Sequence, residues 1–389
     1  MFGNRFATVV VACLLIVAGA ATVFFVTPTV ETADQTMVHR VVEQIAEAST
    51  TPQIAPHLPM PRMVKGVYAT ARSVQYTKRF TQLLALLDRS ELNTLVIDVK
   101  DGNGALAFLP KDQSLQFATS TIFLPPLEEL TSDLHARGIY TIARIFVFED
   151  PWLATHSSST ALRRADGAPW QDKKGIQWTD PADETVWQYD VAIAREVWQR
   201  GFDEVQFDYI RFPTDGDVKN IQYPVWDGIE QKRSVIRRFF SFLHDELVAK
   251  GIPVSVDLFG YTVRLDESDL GIGQHTKDAL PFVTAISPMV YPSHYYPGSY
   301  GFAKPAEHPG EIVAKSMEIA NILAASSTSP HATFRPWLQD FDIGAVYDAP
   351  KIRAQIDAAE KGGASGWLIW NARNVYTEDA FLSSSTERQ

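Results

Sequence analysis

Along most of this 389-residue chain, short apolar runs of period two alternate with longer stretches of helical period. Strand patterns fall at residues 64–69, 94–99, 140–147, 204–208, 253–258, 284–290, 333–338 and 367–370. Helical patterns lie between them near 78–89, 127–137, 184–199, 229–250, 311–325 and 351–361. Only a short helical candidate, 276–280, follows the fifth strand. Eight strands separated by crossovers predict an α/β fold, a (β/α)₈ TIM barrel. A doubly wound sheet is the alternative, but no Gly-rich phosphate turn follows any strand.

Several helix ends carry a basic residue and then a glycine: Arg137-Gly138, Arg200-Gly201, Lys250-Gly251 and Lys361-Gly362-Gly363. Such short returns feed the strands from the bottom of a barrel. The long irregular segments 149–180, 209–226, 260–275 and 291–310 follow strands instead, so they gather on the opposite face as material for a substrate cleft.

Side chains alternate across a strand, so each strand can be sorted into two faces. Gln206 and Asp208 oppose Val205 and Phe207; Ser255 and Asp257 oppose Val254, Val256 and Leu258. Asp98 and Lys100 oppose Leu95, Ile97 and Val99, while Ser287, Met289 and Tyr291 share one face, as do Arg335, Trp337 and Gln339. In every case the more polar set fits the barrel interior near its upper mouth. Asp208 and Asp257 end consecutive strands, which in a barrel are neighbours about 4.8 Å apart. That spacing brings their carboxylates near the roughly 5–5.5 Å of a retaining glycosidase, one as nucleophile and the other as acid/base. The competing reading makes one of them a counter-ion of Arg144, Arg211 or Lys100. Asp98 has its own competitor, because the Asp101-Gly102 that follows suits a turn.

Aromatic residues are the second signal, since sugar rings have apolar faces that pack on aromatic rings. Trp152, Trp170 and Trp178 lie in the loop after the third strand, Tyr291, Tyr295 and Tyr296 after the sixth, and Trp337 and Trp370 on the last two strands. His294, Gln339 and Asn371 are placed to bond sugar hydroxyls. Trp187 and Trp198 sit within a helical pattern and are expected in the shell; Trp226 fits either role.

The N-terminus reads differently. Residues 7–26 form an almost wholly apolar run, and about 20 such residues span a hydrocarbon core of ~30 Å. Arg5 precedes the run and the next basic residue is Arg40, which leaves the N-terminus cytoplasmic and exports the rest. An uncleaved signal anchor (1–26) is expected, with a removed signal peptide as the alternative, cut near Ala18-Gly19-Ala20. A Pro-punctuated linker (27–61), the barrel domain (62–381) and a short tail (382–389) complete the chain. The expected location is therefore membrane-anchored and extracytoplasmic.

Composition narrows the function classes. The 46% hydrophobic and 21% charged residues are those of an ordinary globular protein, and a net charge of −11 argues against nucleic acid. The only cysteine, Cys13, lies in the apolar run, so the barrel has no disulfide and relies on its core. Nine scattered histidines form no recognisable zinc set, Asp215-Gly216-Asp217 is too short for a calcium loop, and no Gly-x-Ser-x-Gly or Walker motif occurs. No metal or cofactor is expected, and no protein partner is identifiable.

Five segments together resemble the bacterial "putative glycosyl hydrolase domain" family, related to TIM-barrel glycoside hydrolases. They are Val64-Lys65-Gly66-Val67-Tyr68, Val96-Ile97-Asp98-Val99-Lys100-Asp101, Phe207-Asp208-Tyr209-Ile210-Arg211-Phe212-Pro213, Ser287-Pro288-Met289-Val290-Tyr291-Pro292 and Gly366-Trp367-Leu368-Ile369-Trp370-Asn371. More distantly, the chain is similar to the α-amylase clan, in which an Asp nucleophile ends the fourth strand and a Glu acid ends the fifth. Asp208 matches the nucleophile position. Asp257 stands where that clan has Glu, and Gln206 where it has Arg two residues before the nucleophile.

The expectation is thus a glycosidase with Asp208 and Asp257 as catalytic pair. Tyr68, Asp98, Lys100, Arg144, Arg211, Tyr291, His294, Trp337, Gln339, Trp370 and Asn371 are expected to contact the sugar. A non-catalytic glycan-binding barrel is the competing class, favoured if the two carboxylates lie more than about 10 Å apart. Metal-dependent deacetylase or lyase chemistry is a third, marked by loss of activity to a chelator.

Overall fold

The structure is a computed structural model that describes residues 54–118, 124–327 and 332–384. The apolar run at 7–26, most of the linker and residues 385–389 lie outside the described residues. Among the described residues no helix is long and apolar enough to cross a membrane.

Eight parallel strands close into a barrel: β1 (Val64–Ala69), β2 (Thr94–Lys100), β3 (Tyr140–Phe146), β4 (Glu204–Asp208), β5 (Val254–Phe259), β6 (Ala285–Met289), β7 (Thr333–Phe334 and Trp337–Gln339) and β8 (Gly366–Trp370). β7 is split because Pro336 has no N–H for the ladder. Its first part pairs with β6 and its second with β8, and the Trp337–Met289 pairing completes the closure. The crossovers carry α1 (Thr77–Arg89), α2 (Leu127–His135), α3 (Glu184–Gln199), α4 (Lys232–Glu246), α5 (Thr276–Ala279), α6 (Pro309–Ala325) and α7 (Ala349–Lys361). The expected barrel order is therefore present, down to the short fifth helix.

Local chemistry explains the punctuation. Asp183 caps α3 by accepting the Thr185 N–H, and Asp348 caps α7 by accepting that of Lys351. Gly138 and Gly201, after α2 and α3, adopt φ of 73° and 103°. At Gly201 a Cβ would also stand 2.4 Å from Thr131 Oγ1, so glycine is required twice over.

The parity reading holds for the strand interiors. Val205, Phe207, Val254, Val256 and Leu258 are fully buried in the shell, where Phe207 meets Phe239 of α4 edge-on at 6.3 Å. Trp187 belongs to the same shell, packed on Phe239 and Phe242. Inside the barrel the polar set forms levels. At the bottom, Glu204 accepts from Ser255, Tyr140 and both terminal nitrogens of Arg335. Above it, Gln206 donates to Ser287 Oγ at 3.1 Å.

One strand departs from strict alternation. Between β2 and β3, Asp98 pairs with Arg144 but Lys100 pairs with Ile145, so Val99 is an extra residue, a β-bulge. The bulge turns Lys100 out of the barrel. Its ammonium lies fully buried between Asp150 and Asp190 of α3, 2.7 Å from each. The expectation that Lys100 shares the inner face with Asp98 is corrected by that single residue.

Candidate active site

The upper end of the barrel opens into a cavity of about 700 Å³. At its floor Arg144, from β3, is enclosed by three carboxylates. Nη1 donates to Asp98 at 2.8 Å, Nη2 to Asp208, and Nε to Asp257 at 3.4 Å. All four side chains are buried. Asp98 also receives the Tyr68 hydroxyl, Asp257 receives Trp337 Nε1 at 2.7 Å, and Asp208 receives the N–H of Tyr209. The counter-ion reading of Asp208 and Asp257 is thus realised, with Arg144 as the cation, but one guanidinium cannot neutralise three carboxylates.

The imbalance has electrostatic consequences. Burial, and then the neighbouring charge of Asp208, hold the Asp257 carboxyl well above the usual carboxylate range. Burial also raises Asp98, although Arg144 and Tyr68 oppose the shift. Arg144 is itself buried, yet its three partners outweigh the desolvation and raise its pKa. Because one guanidinium bridges Asp208 and Asp257, the two carboxylates lie closer than the roughly 10 Å that would exceed both glycosidase geometries.

Arg144 also has a neighbour on the fourth strand. It is paired in register with Gln206, the residue two before Asp208. A guanidinium therefore stands beside that position, supplied by the third strand.

Tyr68, Asp98, Arg144, Asp208, Arg211, Asp257, Tyr291, His294, Trp337 and Trp370 all line the cavity. Trp370 stacks on Tyr68 at 4.1 Å, and Arg144 lies 5.2 Å from the Trp370 ring. Burial lowers the pKa of His294 and favours its neutral ring. Arg211 packs against Trp178, Tyr209 and Phe259.

Three expected contacts lie elsewhere. Lys100 is turned away by the bulge. Gln339 spends its amide on the loops, accepting the Ser293 N–H and donating to the Phe341 carbonyl. Asn371 donates to the Asp340 carbonyl and accepts the Arg373 N–H. Both are buried and absent from the cavity lining. Of the loop tryptophans, Trp170 and Trp178 are core residues and Trp152 stacks on His156, while Trp226 packs on Phe212 and Tyr223.

Phe146, Tyr209, Phe259, Tyr261 and Asp101 line the cavity without having been singled out. Phe146 and Tyr209 stack at 4.6 Å, one ring from the end of β3 and the other just after Asp208. Tyr209 holds φ of 57°, unusual for an aromatic residue, directly after Asp208. Glu149 was passed over as well. It lies 4.0 Å from Arg211, makes no hydrogen bond among the described residues, and is pushed up to about 7, chiefly by burial. Its signal in the sequence is an acidic pair, Glu149-Asp150, directly after an apolar strand. Among the described residues no group of His, Cys, Asp or Glu is arranged to hold a metal ion.

The comparisons with known proteins agree with this fold. The model of the family described as "Putative glycosyl hydrolase domain" matches residues 66–376. No curated protein shows a significant match. Among solved structures, the glycoside hydrolase domain of PgaB (BpsB) from Bordetella bronchiseptica has a TM-score of 0.58 at 12% identity, over 80% of this chain and 95% of that one. The α-galactosidase TtGalA from Thermus thermophilus has a TM-score of 0.50 at 11% identity; the match takes in 86% of this chain but only 62% of that enzyme. A hypothetical protein from Ruminiclostridium thermocellum is 27% identical over 53% of this chain and 98% of its own, with a TM-score of 0.45. The two hydrolases share the barrel fold with this chain. The family model spans most of the sequence, so the protein belongs to the "putative glycosyl hydrolase domain" family and is a glycosidase on a (β/α)₈ barrel.

Proposed function

We propose that the protein is a retaining glycosidase acting on a polysaccharide of the cell envelope, with Asp208 as nucleophile and Asp257 as acid/base. The observation that carries this reading is the sharing of one buried guanidinium by both carboxylates, at the floor of an aromatic cavity. In the first step an Asp208 oxygen bonds to the anomeric carbon as the glycosidic C–O bond breaks, and Asp257 gives its proton to the departing oxygen. In the second, water attacks the same carbon, its proton returns to Asp257, and the bond to Asp208 breaks. Burial and the charge of Asp208 favour a protonated Asp257 in the resting enzyme. Asp98 and Tyr68 hold Arg144 from the far side, and Trp370, Tyr291 and His294 offer a stacking face and polar contacts for the sugar.

The envelope assignment is supported by the apolar run at 7–26 with Arg5 before it, which suits a membrane anchor and an exported barrel. The deciding experiment is release of reducing ends by the full chain, in mild detergent, from a panel of bacterial glycans. Hydrolysis with retained anomeric configuration, lost in Asp208→Asn, is the expected result. Binding without cleavage by the wild-type chain would instead favour a glycan-binding barrel.

A further inference from the structure

The cavity rim carries one side chain that the proposed chemistry does not use. Tyr296 is 74% exposed and lines the cavity; no other strongly exposed large apolar side chain among the described residues does so. An aromatic ring exposed beside a cavity offers apolar area that a bound partner can cover with a gain in stability.

Tyr296 is not a loose side chain on a loop tip. Its backbone N–H donates to the hydroxyl of Tyr261, which also bonds Ser299 Oγ at 2.9 Å. The Tyr261 ring lies 5.4 Å from that of Tyr296 and 4.6 Å from that of Tyr295. Tyr295 is buried, and its hydroxyl bonds Ser316 Oγ of α6 at 3.1 Å. Gly260 allows the stack to form, since a Cβ there would lie 2.5 Å from the Met289 carbonyl and 2.7 Å from the Tyr295 hydroxyl. Three tyrosines therefore run from a barrel helix to the lip of the cavity: Tyr295 buried, Tyr261 half-buried and Tyr296 exposed. Stacking on so well supported a ring costs little side-chain ordering.

We infer that Tyr296, backed by Tyr261, is an outer subsite that stacks a pyranose ring of the same glycan chain, beyond the sugars held at Asp208 and Asp257. The enzyme accordingly takes a chain of several sugars as substrate, with part of that chain leaving the cavity over this lip. The inference rests on the glycosidase reading for the identity of its ligand class. A cavity of about 700 Å³ is of the size that encloses a small ligand, so a longer chain must continue onto the surface.

The test titrates the full-chain Asp208→Asn protein with β-1,4- and β-1,6-linked glucose and N-acetylglucosamine oligomers of increasing length, from disaccharide to octasaccharide. Wild-type turnover on the same oligomers is followed in parallel. Affinity should rise with length, and Tyr296→Ala in that background should weaken the longer oligomers roughly three- to tenfold while the disaccharide changes by less than about twofold. Tyr296→Trp should restore the length dependence. An equal loss at every length, no loss at all, or no binding of any oligomer would overturn the subsite. Length-dependent binding without turnover by the wild-type chain would keep the subsite and discard the glycosidase reading.

Discussion

Two buried ion clusters share the interior of this barrel, and they are built on opposite principles. At the bottom, one cation meets one anion: Arg335 faces Glu204, both Glu204 oxygens are also met by Ser255 or Tyr140, and nothing there reaches the cavity. At the top, one cation meets three anions, and all four line the cavity. A balanced pair whose carboxylate is bonded at both oxygens serves folding. An unbalanced cluster beside open space leaves a proton to be shared, which acid–base chemistry can use. The sign of a strand-end carboxylate therefore says less than the count of charges around it.

Asp208→Asn should separate the clusters most sharply. We expect turnover to fall by on the order of 10⁴-fold with the thermal midpoint nearly unchanged, read by initial rates and calorimetry on one sample. Activity close to wild type on a true substrate would remove Asp208 from the mechanism. Arg335→Met should do the reverse, because it strands Glu204 in a sealed site: a loss of roughly 3–5 kcal/mol in urea unfolding, with the remaining folded fraction still active. A negligible loss of stability would show that the bottom cluster is not structural.

Glu149→Gln probes a carboxyl outside both clusters. Its folded pKa, raised to about 7, exceeds its unfolded one, so its favourable contribution is complete below the unfolded pKa of about 4.3 and disappears as pH rises through 7. The Gln variant should match the wild type near pH 4 and be more stable by about 1–3 kcal/mol at pH 8, in unfolding curves taken across that range. Equal stability at pH 8 would place Glu149 in a more polar setting.

The smallest effect is expected at Trp337→Phe, which removes the indole donor to Asp257. That donor favours the charged form, so its loss raises the Asp257 pKa further. The alkaline limb of kcat/KM, where the acid loses its proton, should move up by about half a unit to one unit. A limb that stays in place would take the proton-donor role away from Asp257.

The barrel was legible because its signals are repeated. Alternation of apolar and polar residues recurs in β2, β4 and β5, and Gly138 and Gly201 take the left-handed backbone expected at helix ends. Asp208 and Asp257 were legible for the same reason, as strand-end members of the polar sets. What stayed hidden depends on one-residue geometry or on partners remote in sequence. The bulge at Val99 changes the phase of β2 without altering its composition. Gln339 and Asn371 are spent on loop backbone whose course the chain pattern does not reveal. Arg144 was visible as a possible counter-ion, but its service to three aspartates requires β2, β4 and β5 to converge on one guanidinium. Trp170 and Trp178 show the limit of composition: a loop tryptophan can be core when the loop is long enough to fold over it.

The extra residue in β2 also bears on how such a site could change. Were Val99 instead to take the place opposite Ile145, the strand would alternate strictly and carry the Lys100 ammonium into the barrel beside Arg144, two cations to three carboxylates. Asp150 and Asp190 would lose their shared cation in the same event. The bulge thus works as a phase switch: it assigns one basic residue to the shell and the other to the cavity, and so sets the proton inventory of the site without replacing any carboxylate.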